Sequence, residues 1–237
     1  MTSSFPATRW SIIAAAGAVG EKSTAQKALA ELCRVYWFPL YTFARRKGLG
    51  PEDAEDATQT FFASILESEF FASADASVGR LRTFLLGAFS KRIVDFQRSA
   101  SRLKRGGGVE FIPFDLADAE QRLEAAPTRD FDADWAAALI ESAVRKLEAD
   151  YAESGRSEIF TALLPYLGTT AGEPPDQAQI ATTLGMSHVA LRQTLLRFRD
   201  RFRTALRAQI ADTLREPSET AIDDELRTLS AVLSAGN

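Results

Sequence analysis

Apolar residues recur at spacings of three and four along nearly the whole of this 237-residue chain. That period belongs to the α-helix, and it excludes the strict alternation of half-buried strands. Alternating Val/Ile/Thr runs are scarce and no Asn-Gly hairpin turn occurs. Glycine and proline fall between the periodic segments, where helices are expected to stop and start. The expected fold class is therefore all-α.

The periodicity predicts helices over Ser23–Arg46, ending at Gly48, and from Pro51 to Glu67. A loop, Ser68–Gly79, precedes a long helix over Arg80–Lys104, which Gly106, Gly107 and Gly108 break. Residues 109–130 are acidic, contain Pro113 and Pro127, and lack a sustained apolar stripe, so they are expected to form a linker. Phe111, Ile112 and Phe114 are its candidates for docking on a domain. Further helices are expected over Phe131–Ser154, Ser157–Leu167, Gln177–Leu184, Ser187–Thr213 and Ser218–Leu233, the last set off by Pro217. The expected organisation is two helical domains, 1–108 and 131–216, joined by the acidic linker 109–130 and followed by a short helical extension, 217–237.

Charge is segregated along the chain. The net charge of −4 argues against a polyanion partner, but the distribution reverses that. Gly50–Asp75 holds seven acidic residues and no Lys or Arg, whereas Arg80–Arg105 holds eight basic residues against one acidic. Val109–Trp135 holds eight acidic and two basic residues, and Gly185–Arg215 holds seven Arg and two Asp. Two basic blocks, each bordered by an acidic one, suit one protein partner and one nucleic-acid partner.

The segment QAQIATTLGMSHVALRQTLLRFRDRF reads as a helix-turn-helix. Ile180, Ala181 and Leu184 supply the apolar side of its first helix. Gly185 allows the tight turn and Ser187 is a good N-cap for the second helix. At about 100° per residue, Leu191, Leu195, Phe198 and Phe202 form one stripe. The start of such a second helix meets base edges and its later basic residues meet phosphates. His188, Arg192 and Gln193 are the base-edge candidates, with Val189 beside them; Arg197, Arg199 and Arg201 are the phosphate candidates. A solvated amphipathic helix in an unrelated bundle is the bland alternative.

On the helix beginning at Pro51, Ala54, Ala57, Phe61, Phe62 and Ile65 fall on one side. Asp53, Asp56, Thr60, Ser64 and Glu67 fall on another, widened by Glu52, Glu55 and Gln59. Solubility alone would explain that stripe. On the next helix, Arg80, Lys91, Arg98, Arg102 and Arg105 share a stripe interrupted by Asp95, opposite Leu81, Phe84, Leu85, Ala88, Phe89 and Phe96. Arg92 lies within the apolar sector, where it either extends its stem out of the core or reaches toward DNA.

These residues carry a family resemblance. EDAEDATQTFFASIL resembles the polymerase-binding helix of sigma factors, with its pattern of roughly DAxDxxQxxF. RLRTFLLGAFSKRIVDFQRSASRLKR resembles the helix that follows it in sigma region two. The helix-turn-helix resembles sigma region four. FPATRWSII and YWFPLYTFARRKG are similar to one branch of the extracytoplasmic-function (ECF) sigma factors. The resemblance spans nearly the whole chain.

It implies a protein that binds core RNA polymerase through Asp53, Glu55, Asp56, Gln59 and Thr60. It implies promoter DNA contacts from Arg80, Lys91, Arg92, Arg98 and Arg102 in region two. Further contacts would come from His188, Arg192, Gln193, Arg197 and Arg199 in region four. The Ser68–Gly79 loop, with Phe70 and Phe71, would capture an unstacked base. The acidic linker would thread through polymerase. An anti-sigma factor is a further implied partner.

Thr60 departs from the family pattern, in which that position is acidic. Phosphorylation would add about −1.5 to −2 charges there, so Thr60 is either the site at which a Ser/Thr kinase activates the protein or an ordinary polar replacement. The extension from Ser218 to Leu233, with Asp223, Asp224 and Glu225 ahead of Leu226, Leu229 and Leu233, is a second departure. It either covers a functional face or only stabilises the fold.

Other classes fit poorly. No Gly-rich phosphate loop, metal-ligand cluster or nucleophile–base set is legible, so neither catalytic residues, metal nor cofactor is expected. The single histidine, His188, and the single cysteine, Cys33, are too few for a zinc site. Cys33 lies in an apolar run and is expected to be a small buried hydrophobe. No signal peptide or membrane span is visible, so a cytoplasmic protein is expected. A stand-alone helix-turn-helix regulator is the competing reading; it leaves the acidic stripe and the Arg80–Arg105 helix without a role.

Overall fold

The computed structural model describes residues 22–65, 80–100, 115–169 and 172–235. Among these the fold is all-α: α1 Lys22–Arg46, α2 Pro51–Ile65, α3 Leu81–Ala100, α4 Leu116–Ala125, α5 Phe131–Glu153, α6 Ser157–Leu163, α7 Gln177–Thr183, α8 His188–Ala211 and α9 Glu219–Ala235. A 3-10 turn, Leu164–Leu167, follows α6. The one β-type pairing among the described residues is an isolated bridge between Arg80 and Leu214. No described helix is long and apolar enough to cross a membrane.

The chain forms two compact units, one taking residues up to Ala138 and again from Ile210, the other Leu139–Gln209. In the first, α1 is the central helix, with α2, α3 and α4 packed on it. Val35 through Thr42 are buried without interruption, the mark of a helix apolar all round. α1 stops at Gly48, whose φ of +91° suits a residue without Cβ. The Leu49 N–H then donates back to the Ala44 carbonyl at 3.2 Å, and the Leu49 side chain is buried against the helix end.

α2 packs Ala54, Ala57, Phe61, Phe62 and Ile65 against this core, each buried as its periodicity predicts. Burying the two Phe rings and Ile65 contributes about 1.5–3 kcal/mol apiece. Thr58 is also fully buried and donates its hydroxyl to the Ala54 carbonyl at 2.7 Å. On α3 the buried line is Leu81, Leu85, Phe89 and Ile93. Phe84, Ala88 and Phe96, expected on the core face, are only half-buried.

Residues 115–130, expected to lie in the linker, carry α4. Asp115 caps it, its carboxylate accepting from the N–H groups of Ala117 and Asp118. Ala119 is fully buried, and Glu120 pairs with Arg45 through two bonds of 2.8 and 2.9 Å. Residues 109–114, with Phe111, Ile112 and Phe114, lie outside the described residues.

The acidic block continues into α5, where Asp134 is 2% exposed. It accepts from the Thr42 hydroxyl at 2.7 Å and from Arg46 at 2.8 Å. Asp132 accepts from Arg82 at 2.5 Å. Glu120, Asp132 and Asp134 are therefore internal counterions of arginines on α1 and α3. By contacts, the beginning of α5 and the segment after Pro217 fall in the first unit.

The second unit is built on Leu147, Tyr151, Phe160, Leu163, Tyr166, Ala181, Leu191, Leu195 and Phe198. Edge-on ring contacts join Phe198 to Tyr151 at 5.5 Å and to Phe160 at 6.0 Å.

Candidate polymerase-docking and nucleic-acid faces

In the second unit, α7 and α8 follow one another across a tight turn, over the segment expected to form a helix-turn-helix. Asp176 caps α7, accepting from the Ala178 N–H at 3.0 Å. The helix ends at Gly185, with φ +61°, a left-handed conformation that glycine adopts without a Cβ clash. Ser187 then caps α8, its hydroxyl accepting from the Ala190 N–H at 3.2 Å. Leu191, Leu195 and Phe198 are buried and Phe202 is half-buried, as the stripe predicts. Ala181 packs against them from α7, flanked by the half-buried Ile180 and Leu184.

The opposite side of α8 presents His188, Val189, Arg192, Gln193, Leu196 and Arg197 to solvent. Val189 and Leu196 are each 67% exposed. Apolar side chains beside arginine and glutamine form a surface able to meet both thymine methyls and base-edge acceptors.

The later arginines are less uniform than their sequence suggests. Arg199 donates to the Tyr166 carbonyl at 3.3 and 3.2 Å, so it also holds α8 against the turn after α6. Arg201 lies over the Tyr151 ring at 5.5 Å. Arg203 faces Asp200 at 3.7 Å, both well exposed.

In the first unit, α2 turns Glu52, Asp53, Asp56 and Thr60 outward, with Glu55, Gln59 and Ser64 partly exposed. Glu67 lies outside the described residues. Glu52 and Asp53 sit in the first turn, where negative charge is favourable to the helix itself. Gln59 donates to Glu55 at 2.9 Å, and the Thr60 hydroxyl donates to the Asp56 carbonyl at 2.7 Å.

On α3, Lys91 and Arg98 are exposed and Arg92 is half-buried. Arg98 lies 3.9 Å from Asp95. Arg102 and Arg105, and the Ser68–Gly79 loop with Phe70 and Phe71, are outside the described residues. Arg80 does not stand with Lys91 as an open cation: its Nε lies 2.5 Å from the buried carboxylate of Glu225 on α9.

Arg82 has no place in the sequence reading, and Glu225 figures there only as part of an acidic run. Arg82 is 8% exposed. It bridges Asp132 and Glu225 and lies over the Trp135 ring at 4.9 Å. Glu225 is 1% exposed, between the buried Ile222 and Leu229. The signal existed in both cases. With Leu81 at 0° and about 100° per residue, Leu85, Phe89 and Ile93 span 0° to 120° and Arg82 falls near 100°. Likewise Ile222, Glu225 and Leu229 follow the i, i+3, i+7 spacing of a buried stripe. Each is a charge on an apolar face, which requires a counterion.

Cys33 is buried, and that burial pushes its thiol up to about 12. Burial and the neighbouring Glu120 carboxylate, which accepts its proton, push the Tyr41 hydroxyl up as well. The paired Arg45 guanidinium holds Glu120 below the usual carboxylate range.

Comparison of the chain with protein-family models, with curated proteins and with solved structures finds no match.

Proposed function

We propose that this chain is an alternative sigma factor of the extracytoplasmic-function type. In this reading it is a cytoplasmic binding protein, not an enzyme. It docks on core RNA polymerase and directs promoter recognition and opening. The observation that carries the reading is the division of α2. One side is wholly core, while the other presents Glu52, Asp53, Asp56 and Thr60 to solvent. None of those three carboxylates takes part in an ion pair among the described residues, which suits a surface kept for a basic partner. The helix-turn-helix supports the duplex-reading half of the function, with His188, Arg192 and Gln193 at the bases and Arg197 at phosphates. Lys91, Arg92, Arg98 and Arg102 on or beyond α3 suit the phosphates of an opened strand.

Thr60 is the proposed switch. Its side chain is exposed beside Asp56, so a Ser/Thr kinase that phosphorylates it extends the acidic face. An anti-sigma factor is the other expected controller.

The test is capture of purified core polymerase, followed by transcription from genomic fragments. Unmodified, kinase-treated, Thr60→Ala and Thr60→Glu proteins are compared. Binding strengthened by Thr60→Glu and promoter-specific transcripts support the reading. Failure of every form to bind core polymerase overturns it.

A further inference from the structure

Arg80 and Arg82 converge on one carboxylate. Glu225 Oε1 lies 2.5 Å from Arg80 Nε, and Glu225 Oε2 lies 3.4 Å from Arg82 Nε. Neither Glu225 oxygen has a hydrogen bond of good geometry, although both are buried. Arg82 is fixed independently, by Asp132 at 2.5 Å and by the Trp135 ring. Arg80 has a side chain that is 43% exposed, and Glu225 is the ion-pair partner it has among the described residues. Two guanidiniums aimed at one anionic group make a site whose geometry suits phosphate as well as carboxylate.

The helix that brings the carboxylate buries few of its side chains. α9 has 17 residues, of which Ile222, Glu225 and Leu229 are buried and Leu226, Val232 and Leu233 half-buried. It joins the rest of the unit through 215–218, a bend containing Pro217. Before that bend the chain is anchored separately: the Leu81 N–H donates to the Thr213 carbonyl at 3.0 Å, and Ile210 and Leu214 are buried. A helix with few buried apolar contacts is of the kind that opens locally without global unfolding. A buried ion pair adds little net stability over an apolar contact, because desolvation offsets its attraction.

We propose that Arg80 and Arg82 form a phosphate site for single-stranded DNA, that Glu225 occupies it as an internal mimic, and that α9 is therefore an autoinhibitory competitor of the DNA strand. This rests on the reading of α3 as a nucleic-acid helix. DNA binding draws the guanidiniums to a phosphate and releases α9. Undocking of α9 by any other means frees Arg80 for DNA.

The experiment uses the full chain and a fluorescent 20-residue oligothymidylate, titrated over a range of salt. Glu225→Gln is expected to bind several-fold more tightly than wild type. Its dependence of log K on log salt should be steeper by about 0.7 per added phosphate contact. Arg80→Ala in the Glu225→Gln background should remove both effects. In parallel, hydrogen exchange on wild type should show α9 amides losing protection at saturating oligonucleotide. Inorganic phosphate at the same total phosphate concentration should leave them protected.

Equal affinity and salt dependence for wild type and a folded Glu225→Gln protein overturn the proposal. So does a wild-type complex in which α9 stays protected, an absence of oligonucleotide binding, or release of α9 by inorganic phosphate alone. Core-polymerase capture with the same proteins reads the sigma assignment separately. Polymerase binding with an unmoved α9 sinks the competitor and leaves that assignment standing. Release of α9 by DNA without polymerase binding does the reverse.

Discussion

Arg45 and Glu120, 75 residues apart, meet in a two-pronged ion pair that fastens α4 to the central helix α1. Tyr41 donates to the same carboxylate, and Arg122 lies over the Phe38 ring at 4.2 Å. An acidic stretch that reads as a tether is thereby a structural helix with a defined seat. The pair is about one-quarter exposed on each side, which places it between a surface bridge and a buried one.

Glu120→Gln is expected to lower the stability of the first unit by about 1–2 kcal/mol, since it leaves Arg45 partly buried without its counterion. Urea unfolding followed by tryptophan fluorescence checks this. A midpoint within error of wild type would show the pair to be ornamental.

Because Arg45 holds Glu120 below the usual carboxylate range, the folded state binds its proton less readily than the unfolded state. Its contribution is present above the ordinary carboxylate value and is lost as pH falls through the depressed one. Acid unfolding of wild type should therefore be steeper than that of Glu120→Gln below about pH 4.3. Parallel acid curves would contradict the assignment.

Cys33 behaves in the opposite direction. Burial raises its thiol to about 12 from an ordinary 9.0. The unfolded chain loses that proton first, so stability should fall as pH rises from about 9 toward 12. At neutral pH the thiol should react with Ellman's reagent only at the rate of unfolding. Rapid stoichiometric labelling of native protein would refute its burial.

Phe198→Ala should cost about 3–5 kcal/mol, because the ring is fully buried and meets both Tyr151 and Phe160. The second unit should lose cooperative unfolding while Thr60 and the acidic face are untouched. Calorimetry of the full chain reads this directly.

On the proposed reading of α7 and α8 as a DNA-reading pair, Arg197→Ala should weaken duplex binding about equally on all sequences. It should also lower the salt slope by about 0.9. Arg192→Ala should cost about 1–3 kcal/mol on one preferred sequence and less elsewhere. Arg199→Ala should in addition destabilise the unit, since its guanidinium holds the Tyr166 carbonyl. Binding curves on random and selected duplexes separate the three.

Much of the architecture is legible in the sequence alone. The helices, the glycine stops at Gly48 and Gly185, the Ser187 cap, the buried line Leu191–Leu195–Phe198 and the split faces of α2 all follow from interactions within about four residues along the chain. Such interactions leave a periodic trace in the order of the amino acids. The seat of α4 and the pairing of Arg82 with Asp132, Trp135 and Glu225 leave no such trace. Each depends on a partner dozens to more than a hundred residues away. A charge on a buried stripe announces that a counterion is needed. Which one answers is decided only when packing brings Asp132, Trp135 and α9 to the same place, because ion pairing acts through space and carries no memory of sequence distance.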